Sequence, residues 1–160
     1  MCSSDLVRLN LSLTTLERVF DQLRSSCQDA LVKEGIDFSF DYDEDLSLVL
    51  DEERFVRVLI NLVENGRKAL APKGRLSVLA RKKDEHILFT VSDSGAGMDK
   101  NTLARVFEPF FSQADGGGTG LGMFTVKNIV DAHQGNIDIS SEPGRGTDIH
   151  IAIPLKINLV

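Results

Sequence analysis

Cysteine and long apolar runs are both scarce in this sequence of 160 residues. The two cysteines, Cys2 and Cys27, match no metal-binding or redox spacing, which excludes a cysteine-ligated metal centre and a dithiol site and is compatible with a reducing compartment. No apolar run approaches the roughly 20 residues that span a bilayer. The first residues show no signal-peptide pattern, so we expect no secretory leader.

Basic charge is also in deficit, with 18 lysines and arginines against 24 aspartates and glutamates and a net charge of −6. This balance disfavours a general nucleic-acid binder and direct contact with an anionic membrane surface. The rest of the composition is ordinary for a soluble globular protein, with 42% hydrophobic and 26% charged residues. A chain of this length can bury a sizeable core without disulfides, and we expect one domain.

Apolar periodicity predicts both helices and strands, because apolar residues recur every three or four positions in some stretches and alternate in others. Gly35 is expected to end the first helix, and Asp51 to cap the second. His133, near the end of the last helix, is expected to be a partner of the helix dipole rather than a catalyst. The predicted helices cover residues 11–34, 51–70, 99–106 and 121–133, and the predicted strands cover residues 36–42, 76–80, 86–92, 137–139 and 149–153.

A strand of alternating apolar residues leads directly into the stretch Asp93-Ser94-Gly95-Ala96-Gly97-Met98. An aspartate fixed at a strand end can accept a hydrogen bond from an exocyclic amine such as that of adenine. Two glycines one residue apart allow close backbone approach or positive φ angles. Alone, the pattern is equally typical of a simple turn after a strand.

The second helix carries an unusual polar face. Asn61 and Asn65 are four residues apart and Lys68 is three further on, so the three side chains share one side of the helix. An amide oxygen is a hard ligand suited to Mg²⁺, and a lysine neutralises phosphate as a point charge. Each asparagine taken singly is also compatible with plain solvent exposure.

Glycine is concentrated before the last helix, with five glycines among residues 116–122. A glycine-rich loop that runs into a helix N-terminus predicts an anion site, because free backbone N–H groups and the helix dipole both favour negative charge. The alternative is a flexible linker. Just before the loop, residues 107–111 read Phe-Glu-Pro-Phe-Phe, which indicates either core packing or an anchor at the base of a mobile segment. Near the end, Gly144, Gly146 and Thr147 form a hairpin turn whose threonine could reach the same pocket as Asp93.

Taken in this order and spacing, the motifs resemble the catalytic ATP-binding domain of bacterial sensor histidine kinases, in the group shared with the gyrase, Hsp90 and MutL ATPases. The resemblance covers residues 10–155 and leaves 1–9 as an extension and 156–160 as a tail. It implies an α+β fold of the Bergerat type, a two-layer sandwich in which a mixed sheet packs on helices. It also implies that Mg-ATP lies between the helix layer and a lid.

The family's functional residues can be carried over onto matching positions. The resemblance implies that Asn65 holds Mg²⁺ against the phosphates and that Lys68 touches a phosphate. Glu64 stands where a polarising or general-base role is sometimes given, and Asp93 would accept from adenine N6. The other positions that the resemblance assigns to the nucleotide site are Asn61, as an indirect metal ligand, Gly95 and Gly97, as lid hinges, Met98, Phe107, Gly118, Thr119, Gly120, Leu121, Gly122 and Thr147.

Several positions depart from the family pattern. Gly66 replaces a usual alanine, which would loosen its helix by about 1 kcal/mol. Gln113 stands where a lid cation is common, Gln134 replaces a common glycine and Ile149 a common aromatic residue. The phosphoacceptor histidine is also missing, since none of the three histidines lies in the required motif. The resemblance therefore implies an enzyme that donates the γ-phosphate to a histidine on a separate helical dimerisation domain, with a response regulator as the next partner. It further implies a cytoplasmic domain and leaves open whether the parent protein is membrane-anchored.

Three alternatives share the fold. An ATPase clamp of the gyrase or Hsp90 kind places a glutamate four residues before the metal asparagine, where this sequence has Asn61, which cannot act as a base. This difference favours transfer over hydrolysis. A protein serine kinase of the anti-sigma-factor type fits the Phe-Glu-Pro-Phe-Phe segment and the late hairpin less well. The remaining alternative is a domain that binds nucleotide without chemistry.

Overall fold

The computed structural model describes residues 8–70, 73–111 and 121–156 of the chain. These ranges contain seven strands and four helices. In chain order they are β1 (Ser12–Thr15), α1 (Leu16–Lys33), β2 (Asp37–Tyr42), β3 (Ser47–Leu50), α2 (Glu52–Ala69), β4 (Arg75–Lys83), β5 (His86–Asp93), α3 (Lys100–Arg105), α4 (Leu121–Ala132), β6 (Asn136–Glu142) and β7 (Gly146–Pro154).

Five strands form a mixed sheet in the order β2-β4-β5-β7-β6, and helices cover one of its faces. Only the β2–β4 pair is parallel. The alternating apolar residues of the central strands β4, β5 and β7 are buried beneath α1, α2 and α4. The opposite face carries polar side chains that are exposed or half-buried, among them Thr90, Ser140 and Asp148. The two-layer α+β architecture predicted from the sequence is therefore confirmed.

The helix α2 begins as the sequence predicts. The Asp51 side chain accepts a hydrogen bond from the backbone N–H of Arg54, and two glutamates occupy the first turn. One of them, Glu52, also pairs with Arg18 of α1 and with the Thr14 hydroxyl of β1. These contacts hold the pKa of Glu52 at about 2, with the Arg18 hydrogen bond as the largest cause. The starts of α1 and α2 are therefore joined.

The predicted start of the first helix is wrong. Residues 12–15 form β1, which pairs antiparallel with β3, a strand that the sequence did not reveal. The helix begins only at Leu16, because Thr15 is its N-cap and accepts from the backbone N–H of Arg18. The apolar period had included Leu13, but this side chain is 73% exposed. The first helix does end where Gly35 adopts a φ of 70°, as predicted.

His133 cross-links α4 to the cap of α2 and is not a charged partner of a helix dipole. The side chain is fully buried, its Nε2 accepts from the backbone N–H of Asp51 at 3.0 Å, and its Nδ1 lies 2.8 Å from the carbonyl oxygen of Ile129. This pattern requires a neutral ring with its proton on Nδ1. Burial is the largest cause that lowers the pKa of His133.

Acidification should destabilise the fold through His133. Below pH about 6.5 His133 is protonated in the unfolded chain but stays neutral in the folded protein, because folding lowers its pKa. The free energy of unfolding, measured with urea, should therefore fall as the pH drops from 7.5 through 6.5 to 5.5. His133→Asn should remove the contribution of His133 to this pH dependence of the unfolding free energy. His86→Asn, a variant at an exposed strand end, should retain that contribution. An unchanged slope in the His133 variant would contradict the assignment.

Candidate functional site

Three polar side chains form a row across the ends of three adjacent strands. In the strand register, Ser141 of β6 pairs with Thr147 of β7, and Thr147 pairs with Asp93 of β5. Leu76 of β4 continues the row and is buried, so the row lies on the helix-facing side of the sheet. The fold thus brings together Thr147 and Asp93, the two residues that the sequence places in one pocket.

The Asp93 carboxylate is partly buried and held by backbone donors. Its Oδ1 accepts from the N–H of Gly95 at 2.8 Å. Burial raises the pKa of Asp93 above its ordinary value; the Gly95 hydrogen bond opposes this rise, the charge of Asp148 adds to it, and a hydrogen bond from the Thr147 backbone opposes it. A carboxylate fixed in this way presents its second oxygen as an oriented acceptor.

The glycines around Asp93 are positions of close backbone approach. A methyl group on Gly95 would lie 2.6 Å from the carbonyl oxygen of Ala69, and one on Gly97, whose φ is 72°, would lie 1.9 Å from that of Glu142. The stretch is also tied down by hydrogen bonds from Ala96 N–H to Ala69 and from Gly144 N–H to Ala96. Gly95 and Gly97 are therefore packed against backbone, a requirement different from the hinge role expected of them.

Gly66, on the buried side of α2, brings this helix into contact with Asp93. A methyl group on Gly66 would lie 3.4 Å from both Cβ and Oδ2 of Asp93 and 2.9 Å from Cδ1 of Leu76. Gly66 is buried, whereas Ala69, three residues further along the helix, is exposed. An alanine here would crowd the end of the Leu76 side chain and would meet the carboxylate only at about ordinary contact distance, so the glycine lowers helix propensity without being required by Asp93.

Asn61, Asn65 and Lys68 share another side of the same helix. Asn61 is half-buried, and Asn65 and Lys68 are exposed. Among the residues that the structure describes, none of these three side chains has a protein hydrogen bond or ion pair. Their amide oxygens and ammonium group are consequently available to a ligand.

Glu64 is engaged by a neighbour on its own helix. Its carboxylate accepts from Nη2 of Arg67 at 2.7 Å and from Nε at 3.2 and 3.3 Å. Nη1 of Arg67 also donates to Glu34 at the end of α1, at 2.8 and 2.9 Å. Glu64, at the position sometimes given a polarising or general-base role, thus joins α2 to α1 through an arginine.

The aromatic segment follows α3, the short helix predicted from the sequence, which Asp99 caps. Phe107 is half-buried and packs against the core. Phe111 lies under the Arg105 guanidinium, 4.6 Å from the ring centroid. Phe110 has a φ of 67° and is 75% exposed, so it does not take part in core packing.

Part of the predicted phosphate loop lies outside the described residues. Gly118, Thr119 and Gly120 belong to that part, as does Gln113. Leu121 and Gly122 form the start of α4. A methyl group on Gly122 would meet no described atom within 4 Å. Gln134 follows α4 with a φ of 60°, in the conformation that glycine favours at helix ends.

Sequence reasoning missed Ser141, which connects the row to the glycine stretch. Its hydroxyl oxygen accepts from the N–H of Met98 at 2.8 Å, donates to the carbonyl of Gly146 at 3.0 Å, and lies 2.8 Å from Oγ1 of Thr147. One signal was available: Ser141 shares the strand face of Ile137 and Ile139, and a hydroxyl on a core-facing position needs partners.

The sequence model of the family described as "Histidine kinase-, DNA gyrase B-, and HSP90-like ATPase" matches residues 50–157 of this chain. The match includes α2, the row and α4. The chain belongs to this family. Its N-terminal elements β1, α1 and β2 lie before the matched part of the ATPase domain.

Relatives of the ATPase domain include sensor kinases. The signal transduction histidine-protein kinase AtoS of Escherichia coli is 32% identical over 131 residues, which cover 81% of this chain and 21% of AtoS. The autoinducer 2 sensor kinase/phosphatase LuxQ of Vibrio vulnificus is 33% identical over 159 residues, which cover 91% of this chain and 18% of LuxQ. The chain thus spans about a fifth of the length of these relatives.

Solved structures agree with the fold of the ATPase domain. The nucleotide-free catalytic domain of histidine kinase ThkA superposes with a TM-score of 0.83 at 27% identity, covering 92% of this chain and 97% of that one. ThkA in complex with the response regulator protein TrrA gives a TM-score of 0.78 at 26% identity, covering 91% of this chain and 42% of that one. Within the described ranges, no helix has the length and apolarity to cross a membrane.

Proposed function

We propose that this domain binds Mg-ATP and donates the γ-phosphate to a histidine on a separate helical dimerisation domain. The observation that carries the proposal is the contact of Gly66 with Asp93, which sets the carboxylate against α2, the helix that also carries Asn65 and Lys68. An acceptor for a base and groups suited to a metal–phosphate group are thereby carried by two elements in contact. The family assignment and the names of the relatives support nucleotide binding and the kinase class.

The adenine end of the site depends on Asp93. Its second oxygen, Oδ2, would accept from the exocyclic amine of the base, because Oδ1 is already bonded to the Gly95 N–H. Such a charge-assisted hydrogen bond is shorter and stronger than a neutral one. The row position next to Thr147 gives the base a second polar neighbour.

The phosphate end depends on α2. The amide oxygen of Asn65 would hold Mg²⁺, with Asn61 acting through water, since this ion takes few protein ligands and fills its octahedron with phosphate oxygens and water. The bound ion would neutralise phosphate charge. Lys68 would add a point charge on the phosphates, and the glycine loop before α4 would supply N–H groups. Catalysis would then consist mainly of positioning and charge neutralisation.

Transfer is favoured over hydrolysis by two side chains of α2. Asn61 has no basic group, and the Glu64 carboxylate is occupied by Arg67. Activation of water by Glu64 would require it to leave this pair. We therefore rank the ATPase clamp below phosphoryl transfer to histidine, and we keep the serine kinase as another alternative. We propose that Glu64 acts as a polarising group of the site.

The phosphoacceptor histidine motif is absent from this sequence, so the proposed transfer requires a partner domain that supplies it. The relatives are several times longer than this chain, so we propose that the helical phosphoacceptor domain belongs to the same parent protein. We propose a response regulator as the following acceptor and the cytoplasm as the location, because ATP is available there. The ThkA–TrrA complex provides the precedent for such a partner.

Phosphoryl transfer can be tested directly. The domain, mixed with the helical hairpin of its parent protein and γ-labelled ATP, should give an acid-labile, base-stable phosphoprotein. Asn65→Ala should reduce the transfer rate at least about a hundredfold and remove the Mg²⁺ dependence of ATP affinity. Asn136→Ala, an exposed asparagine at the opposite end of β6, is the matched control and should be silent. An acid-stable product would support the serine kinase instead, and steady hydrolysis without the hairpin would support the clamp.

A further inference from the structure

Ser141 lies outside every motif of the sequence, yet its hydroxyl touches three groups of the proposed adenine pocket. It meets the N–H of Met98, the carbonyl oxygen of Gly146 and the hydroxyl of Thr147. The Met98 bond joins residues 43 positions apart in sequence and attaches the glycine stretch to β6. This one side chain thus connects three parts of the pocket wall.

The direction of each hydrogen bond can be worked out from the protons available. A carbonyl oxygen can only accept, so the single proton of Ser141 is committed to Gly146. The Met98 N–H fills one lone pair of the serine oxygen. The contact of 2.8 Å between the two hydroxyls then requires Thr147 to donate into the other lone pair.

The consequence falls on Thr147. With its proton given to Ser141, the Thr147 hydroxyl has only lone pairs left and can act toward a ligand solely as an acceptor. Thr147 is the row neighbour of Asp93, whose carboxylate is also an acceptor. The pocket wall therefore shows two adjacent acceptors and no hydroxyl donor from this pair.

We propose that Ser141 is a specificity-determining positioning residue, which fixes Thr147 as an acceptor and so selects purines with an amino group at position 6. The inference rests on the proposed function, because it assumes that Asp93 and Thr147 face the base. A 6-amino group brings donors to both acceptors. A 6-oxo group brings lone pairs against lone pairs, which leaves polar groups unpaired in a partly buried site.

The test compares the binding of ADP and IDP. ADP has an amino group at position 6 of the purine, whereas IDP has an oxo group there and a proton on the adjacent ring nitrogen N1. Calorimetry on the whole chain should show clear preference of the wild type for ADP. In Ser141→Ala the Thr147 proton is released and can turn toward the ligand. ADP affinity should then fall about five- to tenfold while IDP affinity holds or rises, so that the ADP/IDP affinity ratio narrows about fivefold or more. Ser140→Ala, on the opposite strand face, should leave the ratio unchanged.

A second set of variants separates this role from a merely structural one. Ser141→Thr retains the hydroxyl and should restore the ratio, whereas Ser141→Cys, with a weakly hydrogen-bonding thiol, should narrow it as alanine does. Because Ser141 acts through Thr147, Thr147→Val alone and combined with Ser141→Ala should give the same ratio. The cysteine variant and Thr147→Val retain the test if the alanine variant does not fold.

The outcomes are distinguishable. Equal losses of ADP and IDP in Ser141→Ala, or additive effects in the double variant, would overturn the inference and leave nucleotide binding intact. A wild-type chain that binds neither nucleotide, with Mg²⁺ present, would instead remove the proposed function itself.

Discussion

Asp93→Asn should weaken ADP binding about a hundredfold. The change is nearly isosteric, and the remaining amide oxygen can still accept from the Gly95 N–H. The NH₂ group then replaces the second carboxylate oxygen and places donors against the donors of the adenine amine. Loss of a charge-assisted bond together with this mismatch costs about 3 kcal/mol. Calorimetric titration of the folded variant measures the effect.

Asp148→Asn provides the matched control. Asp148 follows Thr147 on β7 and influences the pKa of Asp93 through its charge, but its side chain is on the open face of the sheet. This variant should bind ADP within about twofold of the wild type, since an exposed charge at that distance is screened. Equal binding by Asp93→Asn and the wild type would show that the base is held elsewhere.

Gly146→Ala should reduce the free energy of unfolding by about 3–5 kcal/mol. The residue has a φ of 90°, and an added methyl carbon would lie 2.0 Å from the carbonyl oxygen of Asp93. Neither the start of β7 nor the end of β5 can move freely, because the two strands are paired at this point. Urea unfolding gives the stability, and nucleotide affinity should fall with it as Asp93 is displaced.

Gly144→Ala separates conformational strain from collision. Gly144 lies two residues earlier in the same turn with a φ of 80°, but an added methyl group would meet nothing within 4 Å. Only the strain of a left-handed conformation applies, about 1–2 kcal/mol. If the two variants are equally unstable, the close approach to Asp93 carries no energy of its own.

The central elements of the fold could be predicted because their patterns are local. The alternation in β5 and the cap and period of α2 depend on neighbours within a few residues, and both agree with the structure. β1 and β3 could not be found in this way. They are four-residue strands that pair with each other, although they lie far apart in the sequence. The helical spacing of apolar residues in α1 also continues into the residues of β1, so it gave no sign that a strand precedes the helix.

The site was predictable as a set of residues but not as a set of contacts. Asp93 and Thr147 could be named from their motifs, whereas the packing of Gly95 and Gly97 depends on backbone, and that of Gly66 on side chains, from distant parts of the chain. Ser141 was missed because one of its partners, the N–H of Met98, lies 43 residues away in the sequence. His133 was misjudged for the same reason, since its partner on Asp51 is 82 residues away.

The helices α1, α2 and α4 lie on one face of the five-stranded sheet, and under the proposed function this arrangement restricts the route of an incoming histidine. Asp93 lies on that face and α2 carries Asn65 and Lys68, so we expect a phosphoacceptor to approach from the helix side. The polar wall around Thr90 and Ser140 faces away from that route. A neighbouring domain could contact this polar face, or a reporter dye could be attached to it, without blocking access to the nucleotide site.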